Sequence, residues 1–144
     1  MNVFFYGLFM DEHLLQEQGL RPCNARFAKL AGYRLRIARR ANLIQDDGAS
    51  CCGVVMELPP DDVLALYAKP SVSDYKPISV SVRLEDGSEQ AAICYVLSAE
   101  RNDQGSNADY AKKLYQLAKA LHFPDDYLAE IQLASDTRER LDQQ

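Results

Sequence analysis

The residues with the clearest chemical potential lie at the start of the chain, where apolar residues, a glycine and the beginning of a helix follow one another. Residues 3–6 are β-branched or aromatic, which predicts a short buried strand ending at Tyr6. Because Gly7 has no Cβ, a ligand or another backbone can approach it closely. Asp11 opens an amphipathic helix that Gly19 ends. Backbone N–H groups converge at such a turn and favour a negative group. The candidate binding residues are Tyr6, Gly7, Leu8 and Phe9, although an ordinary first strand and turn explains the pattern equally well.

A basic stretch further along the chain is a second candidate for anion binding. Residues 33–37 alternate apolar and basic side chains, which predicts a half-buried strand with Arg34 and Arg36 facing solvent. Arg39 and Arg40 extend the run of positive charge. A solvated strand face followed by a turn is the simpler explanation.

Metal-binding and nucleophilic residue types are not grouped in the sequence. The cysteines lack the paired spacing of a metal site, and the two histidines are far apart. We therefore expect reduced thiols, no metal and no cofactor. These residues are Cys23, Cys51, Cys52, Cys94, His13 and His122.

Length and composition predict one globular domain spanning residues 1–144. The chain has 47% hydrophobic residues and a formal net charge of −5, which gives no general attraction to nucleic acid. The sequence has no apolar run long enough to span a membrane, and the first strand begins almost at Met1, without a preceding signal peptide. These features lead us to expect a cytoplasmic protein with neither nucleic acid nor a membrane as its partner.

The elements of the first half are predicted from alternation and turn residues. Residues 21–31 are interpreted as a connector, 42–44 as a short strand and 45–50 as a turn because they contain Asp46-Asp47-Gly48. Residues 52–58 form the next strand. A short helix follows from Asp61 and ends before Pro70.

The second half contains the strongest hairpin signal. Asp86-Gly87 joins an alternating strand over 78–84 to its partner over 90–97. Residues 99–105 form a polar loop, Asn107 caps a helix, and Pro124 begins another. Residues 135–144 are interpreted as a frayed tail. These elements predict an α+β fold, a small mixed and mostly antiparallel β-barrel or sheet with flanking helices.

The order of these motifs resembles the γ-glutamylcyclotransferase-like, or AIG2-like, family. Its members run from an apolar strand into a YGSN or YGTL loop, here Tyr6-Gly7-Leu8-Phe9, and continue with a GxVY strand, here Gly53-Val54-Val55-Met56. A Tyr and a strand–DG–strand hairpin follow, here Tyr75 and residues 78–97, with Tyr95 matching an aromatic near the hairpin's end. The closing helices match through Tyr110 and Phe123 to Tyr127.

The resemblance implies a reaction in which the α-amine of a γ-glutamyl group attacks its own side-chain carbonyl, releasing 5-oxoproline and an amine. A carboxylate must take the amine proton, and N–H groups of the Tyr6–Phe9 loop would stabilise the oxyanion. The family's glutamate is expected six residues before Tyr75, where this chain has Lys69. Holding a lysine neutral at pH 7 costs roughly 4–5 kcal/mol.

The resemblance leaves three functional hypotheses. Lys69 and Asp74 are the candidate catalytic residues of an acyltransferase of this type, with Tyr6, Tyr75 and Tyr95 as candidate binding residues beside the loop. Lys69 also suits a catalytically inactive module that binds an anion on the same fold. A structural domain without a ligand is the third hypothesis. For Lys69, an exposed helix-end position explains the sequence equally well, and for Asp74 a solvated loop position is the simpler explanation.

Overall fold

The computed structural model describes residues 1–98 and 107–142, with side chains described up to Leu133. After β1 (Asn2–Phe5), a 3-10 turn covers Leu8–Met10. The other elements, in chain order, are α1 (Glu12–Glu17), β2 (Cys23–Ile37), β3 (Ala41–Glu57), α2 (Pro60–Tyr67), β4 (Lys76–Leu84), β5 (Glu89–Val96), α3 (Ala108–Ala120) and α4 (Asp125–Asp142).

The strands form a closed barrel in the order β1-β3-β2-β4-β5. Neighbouring strands are antiparallel except β1 and β5, whose parallel pairing at Val3 and Ile93 closes the barrel. The β2–β3 hairpin extends beyond the closed part, since β1 pairs with β3 only at residues 54–57 and β4 with β2 only at residues 28–29. The predicted α+β fold with a mostly antiparallel barrel and flanking helices is therefore confirmed.

Side-chain alternation along β1 divides the core into two parts. Phe4 and Tyr6 pack in one cluster with Val55 and Val82, whereas Val3 and Phe5 pack in the other. The second cluster joins the barrel to its helices through Leu15, Leu66, Leu114 and Ile131. This period of two is what a strand buried on both faces requires.

Local signals in the second half are confirmed. Gly87 has φ +87, and the backbone N–H of Leu84 donates to the carbonyl of Ser88 at 2.9 Å, as the predicted Asp86-Gly87 hairpin needs. The Asn107 side chain accepts from the N–H of Tyr110 at 2.9 Å and caps α3. The predicted loop over 99–105 lies outside the described residues, while the predicted tail is helical as far as Asp142.

Two predictions in the first half were wrong. Residues 23–31 are not a connector but the first part of β2, and residues 45–50 are not a turn but the middle of β3. The true turn is Ala38–Arg40. The two long strands pair from Cys23 with Glu57 to Ile37 with Ala41. Beside Gly32 the register shifts, because Ala31 pairs with Ser50 and Tyr33 with Gln45, so residues 46–49 form a bulge in β3. The predicted turn residues lie in this bulge, where Oδ1 of Asp46 accepts from the N–H of Gly48 at 3.2 Å. The bulge interrupts β3 but does not end it, because the strand pairs with β2 on both sides.

No helix in residues 1–98 or 107–142 is long and apolar enough to cross a membrane.

Gly53 is required for the contact between β3 and β1. A Cβ there would lie 2.6 Å from Cζ of buried Phe4 and would also clash with the carbonyl oxygen of Phe5. Because a backbone oxygen and a buried ring cannot move aside cheaply, we expect Gly53→Ala to lower the free energy of unfolding by about 2 kcal/mol or more. Urea unfolding would show this as a lower midpoint with an unchanged slope.

The matched control for this prediction is Gly48→Ala. Its added Cβ would meet nothing closer than Asp46 Oδ1 at 3.9 Å. Equal midpoints for the two variants would contradict the predicted clash.

Candidate functional site

A cavity of about 270 Å³ lies where the chain leaves β1. The 3-10 turn, α2, β5, α3 and the segment before β4 all contribute to its wall. The wall contains five tyrosines, together with Gly7, Leu8, Phe9 and Arg40. The tyrosines are Tyr6, Tyr67, Tyr75, Tyr95 and Tyr110.

The shape of the loop after β1 depends on a close approach by α3. The hydroxyl of Tyr110 accepts a hydrogen bond from the N–H of Leu8 at 3.3 Å. A Cβ on Gly7 would lie 2.5 Å from the same hydroxyl oxygen. The backbone of Gly7 is extended, with φ −113 and ψ −152, so the glycine is needed for this contact and not for a positive φ.

The donors at the start of α1 are already used. The carboxylate of Asp11 accepts from the N–H groups of His13 at 3.0 Å and Leu14 at 3.4 Å. Within the described part of the chain, the N–H groups of Gly7 and Phe9 have no hydrogen-bond partner. The loop itself therefore offers the donors for a negative group.

Among the described residues, the charged side chain of the cavity wall is Arg40, at the β2–β3 turn. Its NH1 and NH2 atoms donate to Oδ1 and Oδ2 of Asp74, each at 2.8 Å, and NH1 also donates to the carbonyl of Ser71 at 2.9 Å. The guanidinium lies over the ring of Tyr75, 5.2 Å from its centroid. The Arg40 and Asp74 side chains keep 27% and 32% of their surface exposed, so the pair forms a rim accessible to a ligand.

An aromatic wall continues from this rim. The ring of Tyr75 lies 6.5 Å from that of Tyr67, and Tyr67 stacks on Tyr95 with centroids 3.7 Å apart and planes at 13°. The edge of Phe9 meets Tyr67 at 6.0 Å. Such a wall gives a ligand large apolar contacts with hydroxyl groups interspersed.

Burial makes three phenols of this wall harder to ionise. It raises the pKa of Tyr6 and Tyr67 well above the usual value, and raises that of Tyr110 to about 12 although the bond from Leu8 opposes the shift. At physiological pH these side chains are therefore hydrogen-bonding groups and not anions.

The structure brings most of the candidate residues together. Its cavity lining includes Tyr6, Gly7, Leu8, Phe9, Tyr75 and Tyr95. Asp74 reaches the rim through its pairing with Arg40. Lys69 is exposed, contacts Gln18 and does not line the cavity.

Three residues of the site were not among the candidate residues named for the family's reaction. Tyr67 was not distinguished from the leucines of its helix, and Tyr110 was named only as a helix residue that matches the family's closing helices. Arg40 belongs to the basic stretch for which a solvated turn was the simpler explanation. Its ion pair with Asp74, 34 residues away, was the missing signal.

A second cavity, of about 590 Å³, lies between the β2–β3 hairpin and α4. Lys29, Cys52, Tyr127 and Glu130 contribute to its wall, but none of the candidate site residues does. The first cavity is therefore the candidate functional site.

Comparisons with known proteins agree with this fold. The AIG2-like family profile matches residues 50–131, and this chain belongs to that family. Similar solved structures include a γ-glutamyl cyclotransferase, with 18% identity over 92% of this chain and 86% of that chain and a TM-score of 0.77. YkqA from Bacillus subtilis is 20% identical over 96% of this chain and 55% of its own, with a TM-score of 0.77. An uncharacterized protein from Homo sapiens is 20% identical over 91% of this chain and 85% of its own, with a TM-score of 0.74. No curated protein matches the sequence.

The buried phenols predict a loss of stability in alkali. Between pH 10, near the pKa of an exposed phenol, and about 12, the unfolded chain releases the Tyr110 proton while the folded chain keeps it. Stability should therefore fall as pH rises through this window, by up to about 1.4 kcal/mol per pH unit for each such group.

Tyr110→Phe tests this expectation by removing one titrating proton. Urea unfolding from pH 9.5 to 12 should give a curve of stability against pH that is shallower by about one proton. At pH 7 no phenol titrates, so the difference in free energy of unfolding between the variant and the native chain measures the separate loss of the hydrogen bond from Leu8. Parallel curves for the variant and the native chain would refute the assignment.

Proposed function

We propose that the tyrosine-lined cavity binds a small γ-glutamyl compound and that the chain converts it to 5-oxoproline with release of an amine. The observation that carries this proposal is the convergence of the Tyr6–Phe9 loop, Tyr75 and Tyr95 on one cavity in a member of the AIG2-like family. A similar fold is found in a γ-glutamyl cyclotransferase, which supports the same reaction class.

The reaction needs a group that accepts a proton from the substrate's α-amine. In the cyclisation, that nitrogen forms a bond to the γ-carbonyl carbon, and the original amide C–N bond breaks. The proton taken from the attacking nitrogen then goes to the leaving amine. Asp74 is the proposed acceptor, since its carboxylate lies at the rim and would also attract the substrate ammonium.

Pairing with Arg40 is compatible with this role. A carboxylate oxygen can accept more than one hydrogen bond, so Asp74 can hold both the guanidinium and a substrate N–H. Arg40 and the N–H groups of Gly7 and Phe9 would bind the substrate's α-carboxylate. Lys69 has no part in this arrangement because it is exposed and lies outside the cavity.

One observation favours a second candidate, a module that binds its ligand without turning it over. Among residues 1–98 and 107–133, no carboxylate lines the cavity, and Asp74 stands only at its rim. Arg40 would then attract a carboxylate or phosphate of the ligand, and the family's reaction would be lost.

Release of 5-oxoproline from a panel of γ-glutamyl dipeptides and γ-glutamyl amines tests the first candidate. We expect turnover by the native chain and a kcat lower by about 100-fold or more in Asp74→Asn, since this change removes the proton acceptor while one side-chain oxygen remains to accept from Arg40. An unchanged urea midpoint would show that losing the ion pair has not unfolded the chain. Asp47→Asn, an exposed carboxylate on β3, is the matched control.

The outcomes separate the candidates. Turnover that survives in Asp74→Asn would place the proton acceptor elsewhere. Saturable binding without turnover by the native chain would support the second candidate, and Arg40→Gln should then weaken binding whereas Arg39→Gln, at the neighbouring exposed position, should not.

A further inference from the structure

Two of the five cavity tyrosines have hydroxyl groups that form no hydrogen bond within the described part of the chain. Tyr67 comes from the last turn of α2 and Tyr95 from β5, and their rings stack 3.7 Å apart. Tyr95 is only 8% exposed, and both residues line the cavity. Neither hydroxyl forms a hydrogen bond within the described part of the chain. The other three tyrosines differ in this respect.

The hydroxyls of the other three tyrosines all contact backbone groups. Tyr6 donates to the carbonyl of Tyr95 at 2.8 Å, and Tyr75 donates to the carbonyl of Ala41 at 2.5 Å. Tyr110 accepts from Leu8. These bonds fix the wall, whereas the hydroxyls of Tyr67 and Tyr95 remain available to a ligand. Neither oxygen is among the completely buried side-chain atoms that lack a partner, so both can be reached from the cavity and can donate to a ligand acceptor.

The two rings are held before any ligand arrives. Phe9 packs edge-on against Tyr67, Tyr75 lies beside it, and the hydroxyl of Tyr6 holds the backbone of Tyr95. Donors fixed in this way lose little freedom when they bind, which is the condition for stabilising a charge that develops during a reaction.

We propose that the hydroxyls of Tyr67 and Tyr95 bind the oxygen of the substrate's γ-carbonyl and stabilise it as an oxyanion during cyclisation. This role rests on the proposed function and assigns the oxyanion to the two phenols and not to the Tyr6–Phe9 loop. Only hydrogen bonds are involved: both phenols keep their protons while the carbonyl π-electron pair moves to the oxygen and returns when the leaving amine departs.

The protonation state of Tyr67 suits this role. Burial raises its pKa well above the usual value, so at neutral pH the phenol remains a donor beside a negative oxygen. A phenol that ionised would instead repel the oxyanion.

The experiment compares Tyr67→Phe, Tyr95→Phe and the double variant with the native chain. Phenylalanine keeps the stacked ring and removes only the hydroxyl. For a γ-glutamyl amide substrate we expect kcat to fall by about 10- to 100-fold in each single variant, with KM changed much less. Tyr33→Phe, a half-buried residue of β2 outside the cavity, is the matched control. Unchanged urea midpoints would show that the variants are folded.

A second readout measures binding of 5-oxoproline, the product that carries the same carbonyl, by isothermal titration calorimetry. We expect the double variant to bind it at least about tenfold more weakly than the native chain. If the native chain turns over substrate and the double variant matches its kcat, the role of the hydroxyls is refuted while the proposed function stands.

If the native chain shows no turnover, the proposed function fails and the titration decides about the hydroxyls. Weaker binding of 5-oxoproline by the double variant would support the two hydroxyls as donors to the ligand's carbonyl oxygen. Equal affinity, or no saturable binding to the native chain, would overturn that role.

Discussion

The ion pair between Arg40 and Asp74 is the contact on which the cavity depends. Residues 68–75 form a series of turns between α2 and β4, and the planar guanidinium holds them to the β2–β3 turn with two 2.8 Å bonds to Asp74 and one to Ser71. Because both partners of a bidentate pair are planar, it fixes orientation as well as distance. Tyr75 is thereby placed under Arg40, where its hydroxyl reaches the carbonyl of Ala41 and closes one side of the wall.

The opposite side of the cavity depends on α3. Asn107 caps this helix, and one turn further Tyr110 reaches the backbone of Leu8 across a gap that only Gly7 leaves open. The glycine of the loop therefore serves packing as much as ligand access. A cavity built in this way uses buried hydroxyls as structural ties, and their burial raises the pKa values that make the wall uncharged. Its electrostatic character comes from the rim.

Local chemistry accounts for what could be predicted from the sequence, and long-range pairing accounts for the rest. The Asp86-Gly87 hairpin and the Asn107 cap depend on a few neighbouring residues, so they were predictable. The long strands β2 and β3 depend on pairing on both sides of a bulge at residues 46–49, so local sequence did not show that 23–31 and 45–50 belong to continuous strands. The loop residues and Tyr75 were predictable from the family's motif order. Tyr67 and Arg40 were not, because their partners Tyr95 and Asp74 lie 28 and 34 residues away in sequence and only the fold brings them together.

The distribution of charge decides how a γ-glutamyl group would lie in the proposed site. An ammonium or carboxylate placed against the apolar tyrosine wall would lose hydration without an opposite charge, which costs several kcal/mol. Both charged groups of the substrate therefore belong at the Arg40–Asp74 rim, and the neutral γ-carbonyl belongs deeper, against Tyr67 and Tyr95. The ring of Tyr75 lies between the rim and the deeper wall. Its centroid is 5.2 Å from Cζ of Arg40 and 6.5 Å from the ring centroid of Tyr67. An enzyme and a binding module would hold the ligand in the same way, and they would differ only in whether the Asp74 carboxylate accepts the amine proton.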